Sequence, residues 1–513
     1  MNGAESLLRT LLQGGIDTCF MNPGTSEIHF VDALERAPEM RGIPCLFEGV
    51  ASGAADGYAR MTGKPASTLL HLGPGLSNAL ANLHNACRAR VPLINIVGDH
   101  ATFHRPYETP LAGDIEALAR PYSAWLRTCR SAADVGRDCA EAIAAARTGL
   151  GQIATLILPA DAAWGDGGAV GTTIQPAAPP LPDETQIAAC ARALTRGGRV
   201  ALVLGVSLSS GASLTIAGKI AAATGTKLLC PFAFTRMQRG AGRPQVERIA
   251  YVTEQAIAQL KDFESLVLVG APPPVSFFGH PSKPSILTSE HTEILALARG
   301  DEDCLGALSV LAALIGAEKS QPSVQKSDRP PLPRGEITIT GLAQAVGARL
   351  PENTIVVDES ITSGRGMLAA TAGAPPHDWL VNTGGSIGIG LPLAVGAAIA
   401  CPQRRVLCLQ ADGSAMYTLQ ALWTAARENL NITTVIFANR AYAILKAELA
   451  SAAANPGRRS LDMLEIGRPD IDWVSLAGSL GVSGCRVSTL EEFAAALHRG
   501  LENDGPGLIE VPL

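Results

Sequence analysis

Arg405-Val-Leu-Cys-Leu-Gln-Ala-Asp412-Gly413-Ser414 and Thr433-Thr-Val-Ile-Phe-Ala-Asn439 are two apolar runs that each end on an oxygen-bearing side chain, with a helix-like stretch, 419–429, between them. Strand, helix and strand in that order make a parallel pair, so Asp412 and Asn439 leave the same edge of one sheet. Ligands collect at the carboxyl edge of a parallel sheet, and a hard cation such as Mg2+ takes carboxylate, amide and carbonyl oxygens together with a ligand's phosphates. Gly413 lets the backbone approach a phosphate closely. Asp-Gly-Ser alone reads equally well as a helix cap and a turn. The asparagine, 27 positions on and at the end of its own strand, tips the reading toward a metal ion and a diphosphate.

The same rhythm runs through the rest of the chain. Apolar runs at 92–98, 154–158, 200–204, 265–270 and 354–358 alternate with Ala-rich amphipathic stretches. This pattern predicts an α/β fold of parallel sheets with helices on both faces. Two Pro-rich breaks, 175–182 and 320–333, divide the chain into three doubly wound domains: 1–170, 183–318 and 335–513.

Composition bounds the function. The 513 residues are 47% apolar and 17% charged, enough to bury several cores. A net charge of −6 without a Lys/Arg-rich run argues against nucleic acid or an anionic membrane as the main partner. The amino terminus has no charged-then-apolar leader pattern and no apolar run reaches the roughly 20 residues of a membrane span, so the expected location is the cytoplasm. Eleven cysteines at irregular spacing form no CxxC pair or zinc pattern and are expected to be reduced, mostly buried thiols.

The Asp412 and Asn439 pair resembles the signature of the thiamine-diphosphate-dependent enzymes of the acetolactate synthase, pyruvate decarboxylase and benzoylformate decarboxylase superfamily, with Ala411 and Ala438 in place of a Gly and an Asn. The resemblance implies Mg2+ held by Asp412, Asn439 and the carbonyl of Ala441, thiamine diphosphate as cofactor, and pyrimidine-binding, central Rossmann-like and diphosphate-binding domains in that order. It also implies a glutamate near the amino terminus. Cys45-Leu-Phe-Glu48-Gly-Val-Ala-Ser-Gly-Ala-Ala-Asp-Gly-Tyr-Ala-Arg60 supplies Glu48, which would face N1′ of the cofactor's aminopyrimidine and promote loss of the thiazolium C2 proton. Asn382-Thr-Gly-Gly-Ser-Ile387-Gly-Ile-Gly-Leu-Pro would run under the cofactor, with the Gly385 carbonyl on its 4′-amino group and Ile387 as the apolar residue that bends it. Gly413, Ser414 and Tyr442 belong to the same cofactor set. Ser360 and Thr362, after the run 354–358, would donate to the diphosphate, although hydroxyls there can equally cap a helix.

Within that superfamily the resemblance sharpens toward benzoylformate decarboxylase. Asn22-Pro-Gly-Thr25-Ser-Glu27 puts Thr25 at the family's active-site serine, and Leu69-Leu-His71-Leu-Gly-Pro-Gly-Leu-Ser-Asn78 puts His71 at its catalytic histidine. A second histidine, from the central domain, corresponds to His280 at shifted spacing, with Phe277 or Phe278 as the alternative occupant. His100 and His104 lie on a neighbouring loop and are further candidates. The Phe-Gln pair with which acetolactate synthases grip a second 2-oxo acid is missing from 107–114, and the central block carries no G-x-G-x-x-G and no recognisable flavin features, so FAD is not expected. Beyond Asn439, Ile444 and Leu445 would line the substrate pocket, while Glu448 stands where the decarboxylases carry an aromatic.

The expected activity is therefore decarboxylation of a small 2-oxo acid, with carboligation as a possible companion. An acetolactate-synthase-like condensation is the first alternative and a non-catalytic diphosphate-binding regulator the second. Glu48 and Asp412 would meet across subunits, making a homodimer the smallest active unit and a homotetramer the expected assembly.

Overall fold

The computed structural model describes residues 1–451 and 455–513. Three parallel sheets account for nearly all the strands. In the first, β1 (Thr18–Asn22), β2 (Arg41–Pro44), β3 (Ala66–Leu70), β4 (Leu93–Asp99), β5 (Trp125–Thr128) and β6 (Ile153–Pro159) stand in the order β2-β1-β3-β4-β6-β5. The central stretch contributes β7 (Val200–Leu204), β8 (Lys227–Cys230), β9 (Met237–Arg239), β10 (Glu247–Arg248), β11 (Ser265–Val269) and β12 (Glu293–Ala298). All of these except β9 form the second sheet, in the order β10-β8-β7-β11-β12. The third sheet holds β13 (Ile355–Glu359), β14 (His377–Val381), β15 (Val406–Ala411), β16 (Ile432–Ala438), β17 (Ser483–Arg486) and β18 (Gly507–Pro512), ordered β17-β18-β16-β15-β13-β14-β9.

The strand that leaves its neighbours is informative. β9 runs antiparallel on the edge of β14, pairing Met237 with Trp379, Gln238 with Asp378 and Arg239 with His377. Three residues are too few for a periodic signal, and side chains hold the edge in place. Arg236 Nε donates to Asp378 at 2.6 Å, and the Arg239 guanidinium lies 5.3 Å from the centre of the Trp379 ring.

The first and third sheets meet through two helices built from small residues. Helix Gly390–Ala400 is buried along almost its whole length and packs on helix Glu48–Thr62. The approach is close enough to require glycine. A Cβ at Gly396 would lie 1.8 Å from the Ala54 carbonyl oxygen, and one at Gly57 would lie 2.2 Å from that of Leu393. Beside this contact Arg60 forms a buried bidentate pair with Asp56, both bonds 2.7 Å, and directs a further donor to the Val381 carbonyl, also at 2.7 Å. A guanidinium withdrawn from water needs that full set of acceptors. Among the described residues no helix is long and apolar enough to cross a membrane, and all eleven cysteines are free.

Candidate active site

Because β1 and β3 are parallel neighbours, with Asn22 opposite Leu70, the loops that follow them lie side by side. Thr25 opens a one-turn 3-10 helix, Thr25–Glu27, in the first loop, and His71 caps helix Leu72–Ala89 in the second. His71 Nδ1 lies 2.7 Å from Glu27 Oε2, which also accepts the Gly24 N–H at 2.8 Å. Glu27 is 3% exposed, its Oε1 has no hydrogen-bond partner, and burial pushes its carboxyl above the usual range. Gly24 permits the arrangement, since a Cβ there would lie 2.2 Å from the His71 ring. Opposite an ionised Glu27, the imidazole carries its proton on Nδ1 and leaves Nε2 free for proton exchange. Glu27 does not stand out in the sequence, because a glutamate three residues after a glycine is also the ordinary mark of a helix start.

Glu48 is the first residue of its helix, one position beyond the Phe47 cap. Its Oε2 accepts from Asn78 Nδ2 at 3.0 Å. Thr25, Glu27, Glu48, His71 and Asn78 therefore form one cluster at the carboxyl edge of the first sheet.

A second cluster occupies the carboxyl edge of the third sheet. Asp412 follows β15 and Asn439 follows β16, strands that pair directly, with Ala411 opposite Phe437. Asp412 is 3% exposed, and burial raises its carboxyl above the ordinary range. Its oxygens accept the N–H groups of Gly413 at 2.8 Å and Arg440 at 2.7 Å, while Asn439 Oδ1 accepts from Ala441 N at 3.0 Å. A desolvated carboxylate beside an amide oxygen suits a hard cation. Over this floor lies the Tyr442 ring, whose Cε1 would be 2.8 Å from a Cβ at Gly413, so the glycine is what lets the ring come so close. Ser414 Oγ is engaged by Ala411 O and Gln410 Nε2, and Ser360 Oγ by Asp358. Thr362, by contrast, lines a cavity of about 830 Å3 with Asn382 and Ile444.

The glycine-rich loop is organised by a residue the sequence did not single out. Glu359, 2% exposed at the end of β13, accepts the N–H groups of Gly388, Ile389 and Gly390, the Asn382 amide and the Gln410 amide. Asn382 Oδ1 in turn accepts the N–H of Gly385, at 2.8 Å, which holds that glycine at φ +82°. Ile387 is half-buried between these bonded residues. Backbone strain marks the same places. Leu72, Ile361 and Arg440 take φ values of 47°, 52° and 55°, and they directly follow His71, Ser360 and Asn439. Non-glycine residues seldom hold that conformation, and such strain concentrates at functional sites.

From the central stretch it is Phe277 that reaches the loop, its Cζ 2.9 Å from where a Cβ on Gly385 would stand. The structure does not bring His280 there. His280 sits on the hairpin closed by the His280–Lys283 bridge, with Nδ1 3.3 Å from Ser282 Oγ. His100 Nε2 bonds Thr109 and its ring lies tilted against that of His104, and among the described residues neither forms a hydrogen bond with Glu27 or His71. Glu448 is exposed and forms no ion pair with Lys446 or Arg458 among the described residues.

Among the described residues no hydrogen bond or ion pair joins the Glu48 cluster to the Asp412 cluster. What links the two sheets is scaffolding: His84 Nε2 lies 3.0 Å from the Gly384 carbonyl and Asn85 Nδ2 donates to that of Ser386 at 2.7 Å.

Residues 1–117 match the family described as "Thiamine pyrophosphate enzyme, N-terminal TPP binding domain", and residues 363–511 its C-terminal TPP binding domain. A Mycobacterium tuberculosis protein provisionally named acetolactate synthase large subunit IlvX is 52% identical over 100% of this chain and 99% of its own. Benzoylformate decarboxylase of Pseudomonas aeruginosa is 29% identical, covering 98% of this chain and 97% of its own. Among solved structures, the thiamine diphosphate-dependent 4-hydroxybenzoylformate decarboxylase of Rhodococcus jostii RHA1 shares the fold with a TM-score of 0.87 at 24% identity, over 100% of this chain and 99% of that one.

Proposed function

As a member of the thiamine pyrophosphate enzyme family, the chain is an enzyme that uses thiamine diphosphate, and we propose that it is a Mg2+-dependent 2-oxo acid decarboxylase of the benzoylformate-decarboxylase type. The observation that carries this reading is the pair that the half-buried His71 makes with the buried Glu27, beside Thr25 and Glu48. Release of an aldehyde after loss of carbon dioxide requires a proton to be delivered, and an imidazole held by a buried carboxyl is suited to that task.

When bound, thiamine diphosphate supplies a thiazolium carbon able to carry the electron pair left by departing carbon dioxide. Glu48 holds and returns a proton at N1′ of the pyrimidine. His71 exchanges protons through Nε2, with Glu27 as its positioning residue, and Thr25 orients the donor's carboxylate. Asp412, Asn439 and the Ala441 carbonyl would hold Mg2+, and Gly413, Ser414, Ser360 and Thr362 would lie beside the diphosphate. Gly385 and Ile387 would shape the pyrimidine's seat, and Tyr442 would cover the Gly413 side of the diphosphate site. The two clusters come from different subunits, so the working unit is at least a dimer. That arrangement is consistent with the absence, among the described residues, of any bond between them within one chain.

The name borne by the 52% identical relative favours one second reading, condensation of two 2-oxo acids. One assay separates the two readings. Purified protein supplied with thiamine diphosphate and Mg2+ is given a panel of 2-oxo acids, and carbon dioxide and organic products are both identified. An aldehyde product supports the decarboxylase; a 2-hydroxy-3-oxo acid as the sole product replaces it with the condensing enzyme.

A further inference from the structure

The cavity that carries Thr362, Asn382 and Ile444 on one wall is closed on another by β10 of the central sheet. Arg248, from that strand, lies over the Phe232 ring at 3.7 Å from its centre. Its Nε is buried without a hydrogen-bond partner, and among the described residues no carboxylate stands within ion-pair reach of the guanidinium. The neighbouring acids are engaged elsewhere. Glu247 is held by Lys227 and Gln259, and Asp358, whose charge reaches Arg248 without contact, is bonded to Ser360. Burial holds the Arg248 pKa below the usual arginine value. A cation partly withdrawn from water and left without a counter-ion costs stability, and buried polar groups in native proteins are ordinarily satisfied, so a ligand is the natural partner.

The cavity also reaches the start of the glycine-rich loop at Asn382. Phe232 packs on Phe277, ring centres 6.3 Å apart, and Phe277 stands against Gly385. With its face held by Phe232, the guanidinium presents its N–H edge, which suits a planar carboxylate. Resting on the decarboxylase reading, we propose that Arg248 receives a second carboxylate carried by the donor, so that the substrate class is 2-oxo acids with a terminal acid group rather than aryl or alkyl 2-oxo acids.

The test compares kcat/KM for 2-oxoglutarate and for 2-oxopentanoate, donors of equal length that differ in the terminal acid, in the wild type, Arg248→Met and Arg248→Lys. Alongside it, glutarate, which has no carbon dioxide to lose by this chemistry, is titrated calorimetrically into the cofactor-loaded protein. The wild type is expected to prefer 2-oxoglutarate by about tenfold or more. Arg248→Met loses that preference, chiefly through KM, and no longer titrates with glutarate. Arg248→Lys gives an intermediate ratio and serves in its place should the Met variant not fold. Equal use of both acids by the wild type, or a variant that loses both alike, overturns the proposal. If neither acid is turned over, the panel of 2-oxo acids decides the decarboxylase reading and the titration alone decides the carboxylate site. A saturating glutarate isotherm abolished by the substitution keeps the carboxylate site, and a flat wild-type isotherm removes it.

Discussion

His71 and Glu27, 44 positions apart in the chain, meet at 2.7 Å because their strands are parallel neighbours whose following loops share one edge. Glu27 reaches the reaction only through the imidazole. Glu27→Gln is expected to lower kcat by about tenfold or more and to displace the limb of the pH–rate profile that reports the imidazole, with cofactor affinity retained. An unmoved profile would reduce Glu27 to a packing role.

Glu48 presents a carboxyl fixed by Asn78 at the start of a helix. Glu48→Gln preserves shape and the hydrogen bond while removing the exchangeable proton. Turnover should fall by about 100-fold or more, while thiamine diphosphate still quenches intrinsic fluorescence at concentrations close to those for the wild type. Full activity in the variant would remove Glu48 from the mechanism.

Asp412 is the one carboxylate of the predicted metal set. Asp412→Ala should abolish the Mg2+-dependent rise in melting temperature that thiamine diphosphate gives the wild type. A rise of equal size in the variant would place the metal elsewhere.

Glu359 has its carboxyl raised by burial despite five donors. A carboxyl whose pKa is higher in the folded than in the unfolded chain contributes stability that is complete below the unfolded pKa and lost as the pH rises through the folded one. Urea unfolding between about pH 5 and pH 8 should therefore show the wild type losing stability relative to Glu359→Gln as the pH increases. Parallel curves would mean that Glu359 does not titrate in that window.

Gly396 meets the Ala54 carbonyl with no room for a methyl group. Gly396→Ala should cost about 2 kcal/mol, because the obstacle is backbone on a packed helix. The loss is read as a lowered denaturation midpoint, and an unchanged midpoint would mean that the helices separate freely.

The residues that a strand or a short motif carries are legible in the sequence. Asp412 and Asn439 close runs whose period is plain, and the observed strands Val406–Ala411 and Ile432–Ala438 agree with them to within a residue or so. Glu48 and His71 are singled out through the family resemblance of the motifs that carry them, and the structure places each at the start of a helix. What escapes is long-range pairing. Glu27 needs its partner 44 residues away, Glu359 is hidden between the more suggestive Asp358 and Ser360, and Arg248 matters because, among the described residues, no carboxylate pairs with it. The shifted spacing around His280 does not decide between histidine and phenylalanine, since a proline-rich hairpin has no period from which to count.

The strand Met237–Arg239 has a consequence for any attempt to divide the molecule. A cut in the proline-rich stretch 320–333 looks inviting, yet it would strip β14 of its antiparallel cover and leave His377–Val381 as a raw margin of unmet N–H and C=O groups. Such a margin recruits strands from other molecules. A carboxyl-terminal fragment made in this way should therefore clump, and one that carries residues 236–239 along on a tether should stay dispersed. The third sheet takes its hem from the middle of the chain, and that stitch, more than any linker, makes these 513 residues a single garment.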